Sequence, residues 1–328
     1  MSATVKQKLT HSRMACAKSC MRKHQYRYDM GLIPDNDATA LRIGSAIHYG
    51  IEQWCKGVDP EKVIADVFDK YAVKPISMND DAFDIEKVTV QCLLSGYMWY
   101  YSNDEIEHIE VEKSFSLPLI NPETGASSRT FTLDGKRDGV IRMNGRLFVK
   151  EIKTTSDDIN DGSNYWLRLR CDQQISLYIL AARLEGLEPE AVLYDVIRKP
   201  SIRQCKATPV DKRKYTKENK LYANQREFDE TPEEFKARLW EDITERPEFY
   251  FQRREIPRLH DDLEAFKYEA WQIADMLRKG YNFRNVSRST CDFCEFKSIC
   301  LQSITVNPAA PPAGFTIAKN INPELEDN

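Results

Sequence analysis

Asn144-Gly145, set between TLDGKRDGVIRM and RLFVKEIKTT, restricts the fold more than any other feature of this sequence. A two-residue hairpin loop needs positive φ at both of its positions, which Asn and Gly tolerate. Such a loop pairs Met143 with Arg146, and the same register carried back along the strands sets Asp138 opposite Glu151. Carboxylates directly across a sheet have Cβ atoms about 5 Å apart and repel each other. Lys153 is two residues beyond Glu151 and projects from the same face. The hairpin over 129–154 is thus predicted to aim two acids and an ammonium at one spot, unless a bulge shifts the register.

Opposed carboxylates need compensation. Hard oxygen donors suit Mg²⁺ or Mn²⁺, which keep coordination positions open for water and phosphate. A neighbouring lysine is then placed to orient that water. The competing reading is an exposed strand face carrying an ordinary Glu–Lys pair.

The 328 residues allow one large domain or two small ones. Helices are predicted over 37–56, with Leu41, Ile47, Ile51 and Trp54 at helical spacing and Asp37 as cap, and over 83–102. A strand is expected near 109–119, a helix over 172–185 stopped by Gly186, and a buried strand over 191–198. Polar helices are expected over 232–246 and 261–280. Strand, helix and strand in that order imply a crossover and a mixed sheet, hence an α/β core with helical additions at both ends. Residues 307–328 contain four of the fifteen prolines and read as a disordered tail.

There is no run of about 18 apolar residues, so no membrane span is expected. The first residues lack an apolar leader, which points to the cytoplasm and to reduced thiols. Forty-seven basic and 51 acidic residues leave −4, against a globally basic binder. Residues 198–226 nevertheless carry ten Lys/Arg and two acids. That stretch, with Lys212, Arg213 and Lys214, reads as a solvated loop or as an arm that grips a phosphate backbone. Tyr215 and Tyr222 are interleaved where they would stack on bases. Arg22, Lys23 and Arg27 form a smaller basic candidate patch, and Trp166, Arg168 and Arg170 another.

Six of the nine cysteines are scattered, but Cys291-x-x-Cys294-x₅-Cys300 is a compact three-thiolate unit. Its fourth ligand must come from elsewhere, with Cys16 and Cys20 in competition, and four thiolates suit zinc as well as iron.

Gly135-Lys136-Arg137-Asp138 followed by Glu151-Ile152-Lys153 resembles the core of the PD-(D/E)XK nucleases, most closely the RecB-like branch; Arg137 stands where the superfamily name has proline. Gly44 to His48, Asp172 to Tyr178, and Cys20-Met21-Arg22-Lys23 through Tyr26 and Tyr28 match further motifs of that branch in order, with Met21 in place of a proline. The resemblance spans about residues 10–302 and is nearest to AddB-type nuclease domains and CRISPR-associated adaptation nucleases. It implies a restriction-endonuclease-like fold and a metal held by His48, Asp138, Glu151 and the Ile152 carbonyl. It further implies catalytic roles for Asp138, Glu151 and Lys153, support from Gln174 and Tyr178, and a [4Fe–4S] staple on Cys20, Cys291, Cys294 and Cys300.

One nuclease domain over 1–306 is expected, with a cluster-binding subdomain (10–36 and 280–302), a catalytic core (37–200), and a basic arm and helical addition (201–279). DNA with single-stranded ends is the expected substrate of an exonuclease, of the kind found in phage recombination and DNA repair. An endonuclease of the same fold and a non-catalytic Fe–S DNA-binding module are the alternatives. No Gly-x₄-Gly-Lys-[Ser/Thr] motif is present, so a helicase or recombinase would be a separate partner.

Overall fold

The computed structural model describes residues 5–35, 39–75 and 78–326. The elements in chain order are β1 (Gln7–Leu9), α1 (His11–Ser19), α2 (Met21–His24), β2 (Leu32–Pro34), α3 (Thr39–Cys55), α4 (Pro60–Lys70) and α5 (Asp80–Tyr100). Next come β3 (Ile106–Ile120), β4 (Ser127–Met143), β5 (Arg146–Thr155), α6 (Asn164–Leu169), α7 (Gln173–Leu184) and β6 (Ala191–Arg198). The chain closes with α8 (Pro232–Glu245), α9 (Pro247–Tyr250), β7 (Phe251–Pro257), α10 (His260–Arg278), α11 (Arg288–Cys291), α12 (Lys297–Leu301) and β8 (Phe315–Ile317).

β4 organises a mixed six-stranded sheet. One of its edges pairs with β3 along most of its length. The other edge is shared by two strands in series: β1 runs parallel to it at Phe131–Leu133, and β5 runs antiparallel to it from Gly139 to Met143. Residues 134–138 of that edge lie between the two partners. The loop is the one the sequence demands, with φ of 52° at Asn144 and 76° at Gly145. β5 continues parallel to β6, and β6 antiparallel to β7. Parallel neighbours joined through α7 are what the strand–helix–strand order requires.

Alternation along the central strands feeds two helical layers. Val149, Val192, Tyr194 and Val196 join the cluster that contains residues of α1, α7 and α10. Ile152 and Ile197 join the cluster of α3, α5 and α8. The two C-terminal helices are therefore amphipathic rather than simply polar: Phe235, Leu239 and Ile243 are buried from one, and Leu263, Phe266, Ala270 and Ile273 from the other. In α3 the buried row is Ile43, Ile47 and Ile51, whereas Leu41 is 65% exposed and Asp37 lies outside the described residues.

β7 was hidden in the sequence by its polar run Gln252-Arg253-Arg254-Glu255. Arg253 is mostly buried, and its Nε donates to Asp195 at 2.9 Å. Asp195 also accepts from Tyr97 and lies 3.5 Å from Lys150 Nζ. This buried network pairs Arg253 and Lys150 with Asp195, which lets a charged strand join the sheet.

The C-terminal segment corrects the expected disordered tail. Phe315–Ile317 pairs antiparallel with β2, Phe315 stacks on buried Phe296, and the Thr10 hydroxyl donates to Glu324 at 2.8 Å. Its prolines shape turns that return the chain to the body. Phe315→Ala is expected to cost about 3 kcal/mol, a fall in Tm of roughly 6–12 °C, and to open residues 307–326 to protease. An unchanged Tm and digestion pattern would mean that this segment contributes nothing to the fold.

Candidate functional site

The pairing of β4 with β5 ends at Gly139–Lys150. Asp138 and Glu151, the next positions on each strand, stand where the two strands part. Asp138 Oδ2 accepts the Ile152 amide at 2.6 Å. Glu151 is 2% exposed, with one oxygen 2.7 Å from Lys153 Nζ. Its other oxygen, Oε2, is buried with no hydrogen-bond partner.

Helices on the two faces complete the surroundings. α3 brings His48 Nδ1 to 3.8 Å from Asp138 Oδ2. It can approach closely because Gly44, one turn earlier, would place a Cβ only 3.1 Å from Thr154 Oγ1. From α7, the Gln174 side chain accepts from Lys153 through Oε1 and donates through Nε2 to the Tyr178 hydroxyl at 3.0 Å. Six of the expected site residues, His48, Asp138, Glu151, Lys153, Gln174 and Tyr178, thus form one connected group, with Ile152 contributing its amide.

Electrostatics mark the group as lacking positive charge. Burial, with Glu112 adding repulsion, pushes Asp138 up to about 7. Burial likewise pushes Glu151 up to about 8, against the pull of Lys153. Burial also works against the Lys153 charge, but Glu151, Asp172 and Asp138 outweigh it and hold its pKa above the usual value. One ammonium does not offset a buried and a half-buried carboxylate. Burial lowers His48, which keeps the ring neutral near pH 7, the state required of a ligand.

Sequence reasoning missed Glu112. The pairs Val111–Gly139 and Lys113–Arg137 flank it, so it faces Asp138 from β3. It adopts φ 52° and pairs with Lys136 at 3.0 Å. The visible clue was Gly139, whose absent Cβ would meet Glu110 O at 2.7 Å and which therefore lets the irregular β3 approach. Arg137, at the variant position of the motif, is fully buried and bridges Glu110 and Glu185.

Cys20, Cys291, Cys294 and Cys300 line one pocket, with Arg22, Lys23 and Lys297 around it. All nine cysteines are free thiols. Cys16 does not line this pocket, and burial pushes its thiol up to about 12. Burial raises the Cys294 thiol above its ordinary value, and Lys23 and Lys297 are paired with Glu295 and Asp292.

The proposed nucleic-acid contacts separate into free and engaged groups. Lys212 and Lys214 are exposed. Arg213 is turned inward, donating to the Thr208 and Glu227 carbonyls at 2.9 Å each, so it holds the arm together. Arg22 donates to Asn282 O at 3.0 Å, and Arg27 lies over the Tyr28 ring. Tyr215 and Tyr222 are 49% and 46% exposed. Trp166 is buried with its indole N–H on Ile159 O, so it has no face for a base.

A family model described as the PD-(D/E)XK nuclease superfamily matches residues 8–301. The chain belongs to this superfamily. No curated protein matches. A solved structure titled "Crystal structure of SSO0001" is similar at 14% identity and a TM-score of 0.37, over 92% of this chain and 91% of that one. No helix among the described residues is long and apolar enough to cross a membrane.

PD-(D/E)XK nucleases use Mg²⁺ or Mn²⁺, and the donors here fit such an ion. Glu151 Oε2, buried without a hydrogen-bond partner, and Asp138 beside it are two hard oxygen donors for such an ion. Among the described residues no group of three or more His, Cys, Asp or Glu side chains is arranged to hold a metal ion, neither His48, Asp138 and Glu151 nor the four cysteines. Two carboxylates with water and phosphate filling the remaining positions is the usual way Mg²⁺ is held.

The raised carboxylates set a pH dependence. Between their unperturbed values of 3.8 and 4.5 and their folded values of about 7 and 8, the folded state binds more protons than the unfolded one. Stability of the metal-free protein therefore falls as pH rises through that window and levels off above it. An ion that replaces those protons should raise Tm more at pH 8.5 than at pH 5.5. Equal shifts in Tm at the two pH values would contradict the assignment.

Proposed function

We propose that this PD-(D/E)XK nuclease hydrolyses phosphodiester bonds of DNA, acting as an exonuclease on ends with single-stranded character. The observation that carries the reading is the Asp138–Glu151–Lys153 group at the parting of β4 and β5, with one buried carboxylate oxygen left for a cation. Asp138 and Glu151, with His48 beside them, would hold Mg²⁺ or Mn²⁺. The bound ion would lower the pKa of a water molecule and neutralise the scissile phosphate. Lys153, fixed between Glu151 and the Gln174 amide, orients the attacking water and faces the charge that develops on phosphorus. Gln174 and Tyr178 hold that lysine rather than react.

We place the chain in the RecB-like branch, with a [4Fe–4S] cluster on Cys20, Cys291, Cys294 and Cys300. Their place around one pocket supports this choice, as does the position of Cys16 outside it. Such a cluster would tie the start of the chain to its end, and its binding energy would become folding energy. Lys212 and Lys214 of the arm would meet the phosphate backbone, and a motor or recombinase would act as a separate chain in the cytoplasm.

Incubation of end-labelled linear and covalently closed single-stranded DNA with Mn²⁺ tests the reading. Loss of the linear form alone is expected; cutting of the circle would assign an endonuclease instead. Asp138→Ala and Lys153→Ala should each lower the rate by roughly 10²–10³-fold or more. Wild-type rates in both variants would remove the site assignment.

Anaerobically purified protein should be brown, and Cys294→Ser should lose the colour and iron together with several degrees of Tm. Stoichiometric zinc with no iron would refute the cluster while leaving the nuclease reading intact.

A further inference from the structure

Residues 281–287, which link α10 to α11, form neither helix nor strand and are exposed throughout. Tyr281 and Phe283 are 48% and 55% exposed, and their rings lie together, with centroids 6.5 Å apart and planes tilted by 49°. The backbone beneath them is fixed. Arg22 donates from its amide to Phe283 O and from Nε to Asn282 O, both at 3.0 Å. Asn285 donates from its side chain to Ser19 O at 2.9 Å and from its amide to Cys20 Sγ at 3.4 Å. Two large rings are thus held at the surface by the junction of α1 and α2. Exposed apolar groups set among polar ones mark a place where something binds. Fixing them beforehand removes part of the ordering cost of binding.

The charge around the rings is positive. Arg284 forms no ion pair and no side-chain hydrogen bond among the described residues, and the two terminal nitrogens of Arg22 have no acceptor there. The acids of this region are already engaged. Glu295 is paired with Lys23 at 2.8 Å, Asp292 with Lys297 at 3.1 Å, and Asp275 with Lys279 at 2.7 Å. Two guanidiniums therefore remain for an anion from outside. Aromatic faces beside unmatched arginines suit a polyanion that carries flat rings. A duplex covers the faces of its bases, so only unpaired bases stack on such side chains.

We propose that Tyr281 and Phe283 stack on unpaired bases of the substrate strand while Arg284 and Arg22 meet its phosphates, at a place separate from the cleavage centre. The proposal rests on the reading of this chain as a nuclease for DNA with single-stranded character. α1 spans the interval between the two places. It begins at His11, 3.4 Å from the Asp172 carboxylate that accepts the Gln174 amide, and it ends at Ser19, which holds Asn285. Its nine residues make a helix about 13 Å long. A strand stacked on the rings is thereby held a short way from the bond that is cut.

Fluorescence anisotropy on the full-length protein, without divalent ion, compares three labelled probes of one length: oligothymidine, the same strand with abasic sites throughout, and a duplex. Tyr281→Ala and Phe283→Ala should each weaken oligothymidine binding about fivefold or more, the size of one base–ring stack. Both should leave Tm and the affinities for the other two probes unchanged. Arg284→Ala should instead weaken oligothymidine and the abasic strand alike and lower the salt slope by about 0.7. Phe283→Trp keeps a stacking face and should bind as the wild type does. Its added fluorescence should be quenched by oligothymidine and not by the abasic strand, which decides the matter if the alanine variants fail to fold. With Mn²⁺, the losses in the ring variants should fall on KM with kcat kept.

Wild-type affinity for oligothymidine in both alanine variants, or an equal loss on the abasic strand, would overturn the platform. So would a wild-type dimer that Tyr281→Ala converts to monomer with its DNA affinity intact, because the rings would then serve a second copy. Base-dependent binding by a protein that cuts no DNA would refute the nuclease reading and keep the platform. Cleavage by a protein whose ring variants bind as the wild type does would do the reverse.

Discussion

Two carboxylates set side by side, one of them with an oxygen that has no partner, govern this structure. Glu151 is buried and Asp138 half-buried where β4 and β5 separate, and one Glu151 oxygen has no hydrogen bond. Burying an ionised carboxylate is costly unless it is paired, and proteins commonly answer by raising its pKa. Both acids here respond in that way. Such an arrangement persists where the compensating charge arrives from outside, as a cation does.

The remainder of the fold makes that parting possible and rigid. β1 and β5 share one edge of β4 without meeting, which frees residues 134–138 from pairing on that side. On the opposite face of β5, Lys150 is drawn into the Asp195–Tyr97–Arg253 network. Odd-numbered β5 residues thus serve the site while Lys150 and Ile152 anchor the strand to the α3–α5 layer. Arg137 ties β4 to β3 and to Glu185 just past α7, so the strand carrying Asp138 and the helix carrying Gln174 are held to one frame.

Local patterning made the hairpin, α7, β6 and the two C-terminal helices legible, because each has its own period and its own stop signal. The Asn144-Gly145 turn transmitted register as far as Gly139–Lys150, which brought Asp138 and Glu151 to the same place. What remained hidden depends on distant residues. β1 is three residues long and exists only because β4 offers an edge. β7 is charged because Asp195 receives Arg253. Glu112 comes to the site because the residues on either side of it pair with Gly139 and Arg137, more than 20 positions away in sequence. The proline-rich C-terminal segment resembled disorder because the apolar partners of its Phe315, Leu32 and Phe296, lie upstream of it.

The central claim is the proposal that Asp138 and Glu151, both raised by burial, exchange protons for a divalent ion. Calorimetric titration of the metal-free protein with Mn²⁺ near pH 7, in two buffers of different ionisation enthalpy, counts the protons exchanged. Displacement from Asp138 and Glu151 predicts release of about one proton or more per ion bound, falling away above pH 9. Binding with no proton release, or no binding at all, would contradict it.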